Sequence, residues 1–131
     1  MKKLDELKKQ MSDKSRVLSD GMLFMKLEDG ENFITTCTNL EIALVALEGF
    51  SGQGSNLVQH ADLSAICDFP KEDWKSYCVN TGAFMREIIQ GFLKIQDRGP
   101  LHIAFEILEE DSRKKGLWKR LFGKRQNNIG S

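Results

Sequence analysis

Hydrophobic and polar positions change rhythm several times along this chain. Met22-Leu-Phe-Met-Lys-Leu27 and Asn32-Phe-Ile-Thr-Thr-Cys37 are short β-type runs with Asp29-Gly30 between them. Asp-Gly suits a type I′ turn, whose two central residues need positive φ, so the pattern predicts a hairpin over residues 22–37. Thr38 and Glu41 have capping-box spacing, and residues 40–47 are almost wholly apolar. That predicts a buried helix over residues 38–49, closed by Gly49.

Further along, the flexible stretch Ser51-Gly-Gln-Gly-Ser-Asn56 precedes a short helix expected near residues 60–68, stopped by Phe69-Pro70. Residues 74–79 carry Trp, Tyr, Cys and Val, and read as a strand ending at the turn Asn80-Thr-Gly82. Residues 83–96 form the clearest amphipathic helix. Phe84, Ile88, Phe92 and Ile95 share a stripe widened by Met85, Ile89 and Leu93, while Arg86, Glu87, Gln90 and Lys94 face away. Leu101, Ile103, Phe105 and Ile107 alternate with His102, Ala104 and Glu106, the period of a half-buried strand over residues 101–108. Leu4, Leu7 and Met11 give a narrow stripe on an otherwise solvated helix in residues 1–18.

The expected architecture is α+β: a small antiparallel sheet from the hairpin and the strands near 74–79 and 101–108, packed on helices 38–49 and 83–96. Three parts follow: an N-terminal helix (1–18), a single α+β domain (19–111) and a C-terminal tail (112–131). A chain of 131 residues buries roughly two-thirds of the surface its unfolded form exposes, enough for a core without disulfide or metal. The start of the chain lacks the apolar core of a secretory signal, and no apolar run approaches the roughly 20 residues of a membrane span. With three cysteines (Cys37, Cys67 and Cys78), reduced thiols in a cytoplasm are the expectation.

Charge divides the chain. Formal net charge is zero, yet residues beyond Asp111 include seven cations and no acid. The first 112 residues therefore hold 12 basic and all 19 acidic residues, a balance of −7. In the tail, Leu117, Trp118, Leu121 and Phe122 fall on one helical arc, and Lys115, Lys119, Arg120 and Lys124 cover most of the other. Arg113, Lys114 and Arg125 complete the basic set. Aromatics backed by cations suit an interfacial helix on anionic lipid, where each near-surface cation contributes about 1 kcal/mol. The same face suits a groove on an acidic partner protein, or nucleic acid with phosphate on the cations and bases on Trp118 or Phe122. It also suits the acidic body of this same chain. The body's negative balance speaks against a broad nucleic-acid footprint.

Catalytic and metal signals are weak. The cysteines form no C-x-x-C pair and read as small buried hydrophobes. A Cys/His enzyme would need Cys37 or Cys78 beside His102 on neighbouring strands. Two histidines and three cysteines lack zinc-ligand spacing, His60 near Asp62 reads as a helix-start pair, and Gly52-Gln-Gly54 is followed by no Gly-Lys-Ser/Thr. Glu28, Asp29 and Glu31 cluster where a solvated hairpin tip is expected. No cofactor is expected. The loops 51–56 and 80–82 adjoin core elements, a common position for binding residues.

The order of Glu28-Asp-Gly-Glu31, Cys37-Thr-Asn-Leu-Glu-Ile-Ala43, Ala61-Asp-Leu63 and Tyr77-Cys-Val-Asn80 with Thr81-Gly82 resembles the SseB-like family. These are small bacterial proteins first associated with enhanced serine sensitivity. The likeness covers about residues 21–93, and departs where Cys37 replaces an aromatic and Thr81 a proline. It implies an α+β domain with no established enzymatic role. The expectation is thus a non-enzymatic cytoplasmic interaction module whose tail reaches an anionic membrane surface or an acidic partner. A nucleic-acid-binding accessory protein and a Cys/His enzyme are the other readings.

Overall fold

The computed structural model describes residues 2–18, 21–52, 56–68, 72–95 and 100–110. It begins with helix α1 (Lys2–Gln10), strand β1 (Ser15–Val17) and strand β2 (Leu23–Lys26), then a 3-10 turn (Leu27–Asp29) leading into α2 (Gly30–Asn39). Strands β3 (Ala43–Ser51) and β4 (Val58–Ile66), helix α3 (Trp74–Phe92) and strand β5 (Leu101–Leu108) complete it. The sheet order is β1-β2-β5-β3-β4, with every neighbouring pair antiparallel. β5 lies between β2 and β3, which run the same way. The last strand is therefore the central one.

The α+β class and the antiparallel sheet agree with expectation, and β5 spans the predicted residues 101–108. The hairpin over 22–37 does not form: only β2 is a strand, and residues 30–39 are helical. Gly30 has φ −64° and belongs to α2, so it makes no type I′ turn. Its missing side chain serves packing instead. A Cβ there would stand 2.6 Å from Ile89 Cδ1 and 2.8 Å from Ile103 Cδ1, so glycine lets α2 press against α3 and the sheet.

The helix expected over 38–49 is corrected in the same way. Thr38 lies in the last turn of α2, and Glu41 beyond it has φ +57°. Glu41 N–H donates to Thr38 O and Ile42 N–H to Cys37 O, which together form a Schellman motif with glutamate in the usual glycine position. The apolar residues that follow form β3, whose residues 43–47 are all buried. Gly49 sits inside that strand. The predicted short helix at 60–68 is edge strand β4, where His60 Nε2 meets Ser51 Oγ at 2.6 Å.

Residues 74–79 open α3 and form no strand. Asp73 caps them, its carboxylate accepting from Ser76 N–H at 3.0 Å. Trp74, Tyr77, Cys78, Thr81, Met85, Ile89 and Phe92 make one continuous buried stripe, so the expected turn at 80–82 is helix interior, and the helix expected over 83–96 is the second half of α3, which ends at Phe92; residue 96 lies outside the described residues. Gly82 allows the crossing of α2: a Cβ would lie 2.8 Å from Thr38 Oγ1. Leu7 of α1 and Met11 just beyond its end are fully buried in the main core, so that helix is anchored rather than merely solvated.

That core joins Leu7, Phe33, Ile34, Met85 and Ile89 from the helices, and Met11 from the turn after α1, to Leu23, Met25, Leu47, Ile103 and Phe105 from one sheet face. Phe33 stacks on Phe105 at 5.0 Å. A second cluster joins Trp74, Tyr77 and Cys78 to Ala43, Val45 and Leu108, where Trp74 Nε1 donates to Glu41 O at 2.8 Å.

Candidate interaction surfaces

The tail residues singled out by sequence (Arg113, Lys114, Lys115, Leu117, Trp118, Lys119, Arg120, Leu121, Phe122, Lys124 and Arg125) lie outside the described residues. Two surfaces of the described body bear on interaction.

The first is the sheet face turned away from the helices. Antiparallel register places Arg16, Phe24, Ala104 and Glu48 in one row across it, and Lys26, His102 and Phe50 in the next. Met22, Leu18 and Leu57 extend the apolar cluster around Phe24. The Phe24 ring stacks on His102 at 5.1 Å, meets Phe50 edge-on at 5.6 Å and has the Arg16 guanidinium 4.8 Å from its centroid. Burial first, then the nearby Lys26 and Arg16 cations, hold His102 below the usual histidine range. Its Nδ1 has no hydrogen-bond partner among the described residues. Cations thus stand on the β1–β2 side of this face, while Glu48 and Glu106 stand over β3 and β5.

The second is a cleft of about 410 Å³ between the β4 edge and α3, lined by Ile66, Cys67, Asp68, Glu72, Tyr77 and Phe84 among others. Ile66 and Phe84 are exposed, and Asp68 and Glu72 make the rim acidic. Tyr77 Oη donates to Asp68 O at 2.8 Å, tying the cleft floor to the end of β4. Cys67 Sγ donates to Leu44 O at 3.4 Å, and burial with the adjacent Asp68 pushes its thiol up to about 12.

Cys37 and Cys78, expected on strands beside His102, lie on α2 and α3 and pack on the helix side of the sheet. His102 lies on the opposite face, so the structure does not bring a Cys/His pair together. Burial, then the neighbouring Cys78, raises the Cys37 thiol far above its ordinary range. Burial, then Glu41, raises that of Cys78 to about 12. His60 and Asp62 lie in β4 and not at a helix start. Glu28 and Asp29 occupy the 3-10 turn and Glu31 the first turn of α2, in place of a hairpin tip. Among the described residues no group of three or more His, Cys, Asp and Glu is placed to hold a metal ion, and no helix is long and apolar enough to cross a membrane.

Sequence reasoning missed the aromatic cluster on the helix-free face. Its trace was there: residues 22–25 are apolar at every position, as a strand covered on both faces would be. No protein-family model matches the chain, and no curated protein matches it.

Proposed function

We propose that this protein is a non-enzymatic interaction module, cytoplasmic and SseB-like in kind, whose basic aromatic tail contacts an anionic membrane surface. The observation that carries this reading is the separation of charge with aromatics on one side of it. Seven cations and no acids follow Asp111, and Leu117, Trp118, Leu121 and Phe122 fall at spacings of i, i+1, i+4 and i+5. Insertion of such an arc at the headgroup boundary is favoured by its apolar area, and the cations add attraction that salt screens. Gly116 and Gly123 each carry a lower helix propensity than the residues around them, so the lipid contact itself must favour the helical arc. The raised pKa values of Cys37, Cys67 and Cys78 speak against the alternative of a cysteine nucleophile, because a thiol needs its thiolate form to attack.

Co-sedimentation with vesicles tests it. The full chain is expected to pellet with phosphatidylserine-containing vesicles at low salt, less at high salt, and not with neutral ones. Absence of binding to anionic vesicles overturns the membrane reading, and an acidic protein groove then becomes the surface to seek.

A further inference from the structure

We infer that the cleft between β4 and α3 binds an extended peptide of a partner protein, added as a further strand at the β4 edge and carrying an apolar residue beside a lysine or arginine. This goes beyond the membrane contact of the tail and uses none of the tail's residues.

The edge comes first. β4 ends the sheet order, with β3 on one side and no described strand on the other. Its pairing is interrupted: His60 faces Gly49 and Ser64 faces Glu48, so residues 61–63 bulge out, and Ser64 Oγ donates to Ala61 O across the bulge. A bulge blunts a sheet edge against unwanted pairing. Beyond it the ladder is regular. Cys67 N–H donates to Val45 O at 2.9 Å and Ile66 faces Ala46, so alternation turns the backbone N–H and C=O of Ser64 and Ile66 to the outer side. Tyr77 Oη, donating to Asp68 O, holds this end of the strand against α3. The open half of the edge is thus the half beside the cleft.

The cleft supplies selectivity. Ala65 and Cys67 turn to the helix side at half-burial, because the helices cover β4 far less than β3. Ile66 is 37% and Phe84 41% exposed, large apolar side chains left open where β4 and α3 bound the cleft. A strand paired antiparallel to β4 sets the residue opposite Cys67 on the helix side, its Cβ about 5 Å away and directed toward Tyr77 and Phe84. The volume of about 410 Å³ suits a large apolar side chain there. Asp68 and Glu72 make the rim acidic, and none of the described lining residues is a cation. A lysine or arginine within two positions of the apolar anchor complements that rim, whereas a phosphate group would be repelled by it. Main-chain hydrogen bonds then give affinity, and the cleft and rim give specificity.

Selection of phage-displayed random dodecapeptides on the immobilised full chain tests this, followed by fluorescence anisotropy with a synthetic copy of an enriched peptide. Enriched sequences are expected to place Lys or Arg within two positions of a large apolar residue. Ile66→Pro removes the outward N–H and leaves the β3 ladder intact; it should weaken binding about tenfold while β3–β4 amides stay protected. N-methylation of single peptide amides should abolish binding at alternate positions, a readout that stands even where the proline variant fails to fold. Phe84→Asp should abolish binding, and Glu72→Lys should weaken it and be rescued by Lys→Glu in the peptide. Leu93→Asp, at the far end of α3, should leave it unchanged. No enrichment, enrichment of acidic peptides, or binding indifferent to Phe84→Asp and to N-methylation overturns the inference. Self-association of the full chain that Phe84→Asp abolishes also overturns it, because the occupant is then a second copy. Vesicle co-sedimentation of the Phe84→Asp chain keeps the two proposals apart: the membrane reading predicts it unchanged, whatever becomes of peptide binding.

Discussion

Thr81 is the one buried polar side chain among the described residues, and it ties α3 to the sheet. Its hydroxyl accepts from Leu44 N–H at 3.3 Å and donates to Cys78 O at 3.2 Å. Leu44 lies where the β3–β5 register shifts, so the side chain serves an amide at an irregularity in the ladder. Thr81→Val keeps the shape and removes the acceptor. An unpaired buried N–H costs about 1–3 kcal/mol, and the added methyl returns about 0.8 kcal/mol at most. The bond is long, which places the net loss at about 1–2 kcal/mol. At about 2.1 cal/mol/K of unfolding entropy per residue, 131 residues convert this to a melting-temperature drop of roughly 4–7 °C. Scanning calorimetry reads the drop, and amide exchange should show faster exchange at Leu44. A valine variant as stable as the wild type, with Leu44 still protected, would refute the assignment.

Three further outcomes are expected. Glu41 occupies the left-handed position at +57°, so Glu41→Gly should exceed Glu41→Val in stability by about 1–2 kcal/mol in urea unfolding; equal stabilities would contradict the Schellman geometry. His102 has a folded pKa below its ordinary 6.5, so the unfolded chain binds more protons in that window. Stability attributable to it is complete above about pH 6.5 and falls as pH drops toward the folded value; His102→Gln should flatten this acid limb of the melting-temperature profile, and an unchanged limb counts against it. Iodoacetamide at neutral pH should leave Cys37 and Cys78 unmodified in the folded chain and label both after unfolding, whereas native labelling at the rate of a free thiol would show an accessible thiolate.

The α+β class was legible because strong periodicity survived where one face of an element is buried. The large apolar residues Leu101, Ile103, Phe105 and Ile107 recur at every second position of β5, and Phe92, Ile89 and Met85 mark the second half of α3. The errors have local causes. Asp29-Gly30 carries a hairpin signature, but the glycine is required by close packing on Ile89 and Ile103, a long-range demand that no local pattern expresses. The end of α2 was hidden because glutamate stands where a Schellman motif usually has glycine, leaving Thr38 and Glu41 to imitate a capping box. β3 lost its alternation because both of its faces are buried. Trp74, Tyr77 and Cys78 favour strands by propensity, yet they continue the stripe of α3, where tertiary burial overrides that preference. β4, at the sheet edge, carries too few inward apolar residues to announce itself. Of the candidate surfaces, the amphipathic pattern proposed for the tail comes from charge and spacing alone. The sheet face was not legible, because its residues come from four strands that only the topology unites.

The most direct measurement is the partitioning of the full chain onto anionic vesicles, compared with a Trp118→Ala/Phe122→Ala double variant across a salt series. The account predicts that the double variant binds more weakly at every salt concentration, because insertion of the aromatic arc is lost, while the salt dependence set by the seven cations persists. Equal partitioning of the two chains, or no partitioning of either, would contradict it.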